Sequence, residues 1–103
     1  MSYKLRFIQR FQLDKTAEFM AIEKQFAAFE TQYPDFPKGR RYVPHVGSLP
    51  VNTLIWECDF DTLDELHCAH DFLMKDDRHE DLFQVQSVYL LEAYTEIYRP
   101  YDS

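Results

Sequence analysis

Between Tyr3 and Phe11 the chain alternates. Tyr3, Leu5, Phe7 and Phe11 fall on one face and Lys4, Arg6, Ile8 and Arg10 on the other. That period of two predicts a half-buried strand. The period then changes. Phe19, Ile22, Phe26, Phe29 and Tyr33 recur at spacings of three and four, which draws one apolar stripe down a helix of about 18 residues. Asp14 and Thr16 are candidate caps at its start. Tyr33-Pro34 ends it, because the residue before a proline is pushed out of the α region. Pro34, Pro37 and Gly39 then make a turn. Alternation returns over 40–46 and 52–60, and Gly47-Ser48-Leu49-Pro50 between them predicts a hairpin. In the second of these strands Leu54, Trp56, Cys58 and Phe60 oppose Thr53, Ile55, Glu57 and Asp59.

Thr62 and Glu65 match a capping box, so a second helix should begin at Leu63. Its buried stripe reads Leu63, Leu66, Ala69, Leu73 and Met74. The polar run Lys75-Asp76-Asp77-Arg78 breaks or bends it, and a shorter helical piece follows over about 79–87. A last strand over 91–99 sets Ala93, Thr95 and Ile97 against Tyr94, Glu96 and Tyr98. The order is βαββαβ. It predicts an α+β, ferredoxin-like split βαβ fold, with a four-stranded antiparallel sheet and its helices on one face.

Length and charge narrow this picture. The 103 residues make one domain over 1–103. Seventeen per cent are aromatic, more than one thin core needs, so some aromatic area should meet a partner or line a cleft. A net charge of −7 repels nucleic-acid phosphates and anionic membranes. No apolar run approaches the ~18 residues of a membrane span. The N-terminus has no apolar signal region. Two cysteines without CxxC spacing form no disulfide framework, and the expected location is cytoplasmic.

The sheet face turned away from the helices should carry Arg6, Ile8, Arg10, Ile55, Glu57, Asp59, Tyr94, Glu96 and Tyr98. Apolar and aromatic residues alternate there with charges of both signs. Such a face suits a partner sheet, with tyrosines carrying apolar area and ion pairs at the margin. The chain is therefore expected to pair with itself, with Arg6, Ile8, Arg10, Ile55, Glu57, Tyr94, Glu96 and Tyr98 in the interface. Arg6 and Arg10 are more readily explained as partners of Glu57, Glu92 and Glu96 than as a carboxylate-binding pair.

This pattern resembles the dimeric α+β barrel superfamily. The segments Lys38–Leu66 (KGRRYVPHVGSLPVNTLIWECDFDTLDEL) and Glu92–Tyr98 (EAYTEIY) are similar to NIPSNAP-like and related bacterial barrel proteins. Asp76–Phe83 (DDRHEDLF) looks like the acidic-His segment of many members. The resemblance covers nearly the whole chain. It implies the barrel fold and a homodimer. It spans cofactor-independent monooxygenases, haem-degrading enzymes, isomerases and members with no known activity, so the fold does not fix the function.

Two residues could carry chemistry. On the helical wheel His70 falls between Leu66, Leu73 and Met74, and Trp56 lies on the strand face beneath that helix. An imidazole in an apolar cleft can act as a base near neutral pH; the plainer account is a core histidine with one backbone partner. Asn52-x-x-x-Trp56 is similar to the Asn/Trp part of the set that superfamily oxygenases place around substrate, although turn chemistry also explains Asn52. His67, His70 and Asp71, with His79 or Glu80, do not converge on a metal, and no HExxH motif is present. Neither a metal nor another cofactor is expected.

The leading expectation is a homodimer whose subunits hold a small hydrophobic molecule between sheet and helices. Phe7, Phe26, Tyr42 and Leu66 would line the site. Catalysis, if present, would be a cofactor-independent monooxygenase or isomerase step. Trp56 would then shape the pocket, His70 would move a proton, and Asn52 or Tyr42 would orient a polar group. The alternatives are a non-catalytic binding or structural dimer and a haem-binding protein.

Overall fold

The computed structural model describes residues 2–102. Its elements are β1 (Tyr3–Phe11), a 3-10 turn (Leu13–Lys15), α1 (Thr16–Gln32), β2 (Arg40–Tyr42), β3 (Thr53–Phe60), α2 (Leu63–Lys75), α3 (Asp77–Ser87) and β4 (Leu90–Tyr98). The strands form one antiparallel sheet in the order β2-β3-β1-β4. This is the α+β, ferredoxin-like arrangement that the alternation and the helical stripe predict.

Side-chain parity and register decide which face the helices cover. Leu5 pairs with Cys58, Phe7 with Trp56 and Gln9 with Leu54, so these six side chains share one face. Leu5, Trp56 and Cys58 pack with Leu66 and Leu73 of α2 and with Phe36. Phe11 and Leu54 pack with Phe19 of α1, and the Phe11 and Phe19 rings stack at 4.5 Å. Both helices therefore lie on the same side. The two clusters leave a gap between them, over the middle of the sheet.

Local chemistry sets the ends of the elements. Thr62 accepts a hydrogen bond from the Glu65 amide at 3.1 Å and starts α2 as its sequence predicts. Asp76 stands between α2 and α3. Its carboxylate accepts from the amides of Arg78 and His79, so the polar run that ends one helix also caps the next. At α1 the expectation fails: neither Asp14 nor Thr16 is an N-cap acceptor. Thr16 instead donates to the Leu13 carbonyl at 2.6 Å, inside the 3-10 turn. β2 ends at Tyr42 rather than running to residue 46. Pro44, two residues on, has no amide to give a ladder. The buried stripe of α2 is also narrower than expected. Leu66 and Leu73 are buried on its centre line, while Leu63 and Met74, at its ends, are largely exposed.

The other sheet face carries a charge pattern that single strands conceal. β1 is basic and its neighbours are acidic. Lys4 pairs with Glu57 and Asp59, Arg6 with Glu57 and Glu96, and Arg10 with Glu92. Arg6 also donates to the Tyr98 hydroxyl and lies 5.4 Å from its ring centre. Ile8, flanked in register by Ile55 and Tyr94, is buried within the single chain, as is Ile55. On this face the exposed apolar area lies instead at the edge strand β4, on Tyr94 and Tyr98.

Candidate functional site

The gap over the middle of the sheet is a cavity of about 230 Å³. Its floor is Phe7, Gln9, Trp56, Ala93 and Thr95 from the strands, and its walls come from α1, α3 and the end of α2. It exists because α3 turns Phe83, His79 and Gln86 inward rather than a continuous aliphatic stripe. Phe7 and Trp56 stack at 5.1 Å and present a flat apolar surface. Phe26 and Phe83 flank the His79 imidazole at 5.1 and 6.4 Å. A volume of this size, lined mostly by aromatic carbon with a few converging polar groups, has the make-up of a small-molecule pocket.

The polar groups lie together. Glu23 and Glu30 are seven residues apart on α1, on the same face as Phe19, Phe26 and Phe29. Both are buried. Arg41, reaching in from β2, donates to Glu23 at 2.6 Å and holds both oxygens of Glu30. Burial alone would lower the pKa of the guanidinium, but the Glu30 hydrogen bonds and the Glu23 charge outweigh it, and the net shift is upward. Glu30 also accepts the Trp56 indole N–H at 3.2 Å and the Gly39 amide at 3.0 Å. Gln86, fully buried on α3, donates to Glu23 at 2.9 Å. Its Oε1 has no partner.

His79 is the imidazole on the cavity wall. Burial pushes its pKa below the ordinary value, and the charges of Asp76, Glu80 and Glu23 only partly offset this. The neutral ring is therefore favoured at neutral pH, with a lone pair able to accept a proton.

The residues singled out from the sequence divide between several places. Phe7, Phe26 and Trp56 line the cavity. His70 is outside the lining, with its ring 5.9 Å from that of Phe7 on the cavity floor. Leu66 is fully buried in the closed core under α2. Tyr42 is half-exposed, with its backbone paired to Ile55, and sits in a shallow groove outside the cavity. Asn52 closes the end of the sheet: its side chain donates to the Phe11 carbonyl at 2.6 Å, and its own carbonyl accepts the Phe11 amide. The cavity thus lies mainly under α1 and α3, and only the C-terminal end of α2, Leu73 and Met74, reaches it. Glu23, Glu30, Arg41 and Gln86 were not among the sequence candidates. The glutamates were visible as two acids inside an otherwise apolar stripe. Among the described residues no cluster of three or more His, Cys, Asp or Glu could hold a metal ion, and no helix is long and apolar enough to cross a membrane.

No protein-family model and no curated protein matches the sequence. Solved structures do match its shape. The fold is shared with NIPSNAP family proteins. One from Agrobacterium tumefaciens superposes with a TM-score of 0.77 at 19% identity, over 99% of this chain and 95% of its own. An uncharacterised NIPSNAP domain protein from Burkholderia xenovorans gives 0.71 at 18%, over 97% and 94%. A putative antibiotic biosynthesis monooxygenase from Nitrosomonas europaea gives 0.70 at 10%, over 97% and 90%. At these identities the likeness is one of fold. It agrees with the NIPSNAP-like, barrel-type resemblance of the sequence.

Proposed function

We propose that this protein is a homodimeric small-molecule-binding protein, each subunit holding one apolar, ring-sized molecule in the cavity between its sheet and helices. The observation that carries this reading is the cavity itself. A purely structural domain has no need to leave the stacked Phe7–Trp56 pair beside an open cleft, because apolar surface left facing water forgoes about 25 cal/mol per Å². Filling it tests the reading. Ala93→Phe, on the floor next to Thr95, should abolish binding of small aromatic probes followed by amide chemical shifts while leaving the fold intact. Unchanged binding in that variant would sink it.

Self-association is favoured by the apolar side chains of β4, an edge strand with free pairing capacity on its outer side. Light scattering on Tyr94→Glu/Tyr98→Glu should show a monomer where the parent shows a dimer. A monomeric parent would remove the dimer from the proposal.

A catalytic reading rests on His79. Isomerase and cofactor-independent oxygenase steps both begin by removing a proton from a carbon acid, and a neutral imidazole beside aromatic rings is suited to accept it. His79 therefore takes the place that the sequence offered to His70. Solvent deuterium exchange into a bound ketone, lost in His79→Gln and kept in His70→Gln, would support it; the reverse pattern would return the role to His70.

A further inference from the structure

The polar end of the cavity carries an imbalance of charge. Glu23 and Glu30 face a single guanidinium, so the buried trio holds a formal charge of −1. All three Arg41 nitrogens already donate to these carboxylates, leaving the trio directed at its own acids. Glu30 receives four donors, the full capacity of a carboxylate. Glu23 receives two, from Arg41 and Gln86, and keeps room for about two more. Beside it the Gln86 Oε1 is wholly buried and has no donor at all. A buried acceptor without a partner is destabilising, and a buried excess charge is more so unless it is paired. His79 does not supply the charge, since its burial favours the neutral ring. A ligand that answered both would carry donors and positive charge.

We propose that this end of the cavity is a subsite for a protonated amine, whose ammonium donates to Glu23 and is drawn further by the partial negative charge of the donorless Gln86 Oε1 beside it, while its apolar body lies against Phe7 and Phe26. The aromatic faces add to the selection, since a desolvated cation is attracted to the negative face of a ring. The same wall disfavours carboxylates, which would meet acceptors and a net negative charge. The inference rests on the cavity being a ligand site and sharpens which ligands enter it.

Four probes of one shape test it on the intact protein: 4-methylbenzylamine, 4-methylbenzyl alcohol, 4-methylbenzoate and p-xylene. Binding is followed by the side-chain N–H shifts of Trp56 and Gln86. The amine should bind at least about tenfold more tightly than the alcohol, and the benzoate should produce no shift. Glu23→Gln should bring the amine down to the level of the alcohol and leave p-xylene unchanged. Should that variant fail to fold, Gln86→Leu supplies the second reading, with the amine losing affinity and p-xylene gaining it. Equal binding of amine and alcohol, or preference for the benzoate, overturns the amine subsite while leaving the cavity a ligand site. Silence from all four probes, p-xylene included, overturns the ligand-binding reading and the subsite with it.

Discussion

Gly39 is the position where one added carbon should do most damage. It is not needed for backbone conformation, since no described residue has a positive φ. It is needed for space. A Cβ at Gly39 would overlap the Trp56 indole at Nε1 and Cε2 and lie 2.6 Å from Cζ2. The blocking atoms belong to a rigid ring stacked on Phe7 and bonded to Glu30, so Gly39→Ala must displace the ring or the loop. Overpacking of this kind costs about 1–3 kcal/mol. Breaking the Trp56–Glu30 hydrogen bond, which involves a charged acceptor, adds about 1.5–3 kcal/mol. Lower chain entropy in the unfolded Gly39→Ala variant returns about 0.4–1 kcal/mol. The expected net loss is about 1.5–5.5 kcal/mol. Trp56 is the single tryptophan, so its emission reports both the displacement and the urea unfolding curve. The emission should shift to the red as the indole leaves its buried site. Adding Trp56→Phe should recover part of the loss, measured by circular dichroism. A Gly39→Ala protein within about 0.5 kcal/mol of the parent, with an unshifted emission maximum, would refute the steric argument and the placement of the indole.

Arg41→Met leaves Glu23 and Glu30 without their shared cation and should cost about 3–5 kcal/mol in urea unfolding, far more than Arg10→Met, whose pair with Glu92 is solvent-exposed. Asp76→Ala removes the α3 cap and should cost about 1 kcal/mol. The Arg78 side-chain hydrogen bond holds the Asp76 pKa below 3.8, so its contribution is complete above that value and is lost as the pH falls through the lowered one. Thermal melts of parent and Asp76→Ala should therefore converge in strong acid and not at pH 6. His79 runs in a separate window. Its pKa is depressed by burial from 6.5, so the unfolded chain takes up the proton first, and the parent should lose stability as the pH drops below 6.5. His79→Phe should lack that slope; an equal slope in both proteins would place the imidazole in solvent.

The fold was legible in the sequence because a period of two and a period near 3.6 are imposed by geometry on any chain that buries one side. Tyr3 to Phe11, Phe19 to Tyr33 and Thr53 to Phe60 each showed that period, and Thr62 with Glu65 showed where a helix begins. The aromatic pair on the cavity floor, Phe7 and Trp56, was legible for the same reason. Its histidine was not. His70 and His79 both lie on helices near apolar residues, and the choice between them depends on how far α3 stands from α1, a distance no local pattern encodes. The polar cluster was hidden more deeply. Glu23 and Glu30 read as two interruptions in a stripe until β2 brings Arg41 across to them, and Gln86 has no meaning apart from Glu23, 63 residues away. Periodicity determined which side of each element turns inward. Only the packing of α1 and α3 over β1 and β3 decided where the inward sides fail to meet, and so where a molecule can fit.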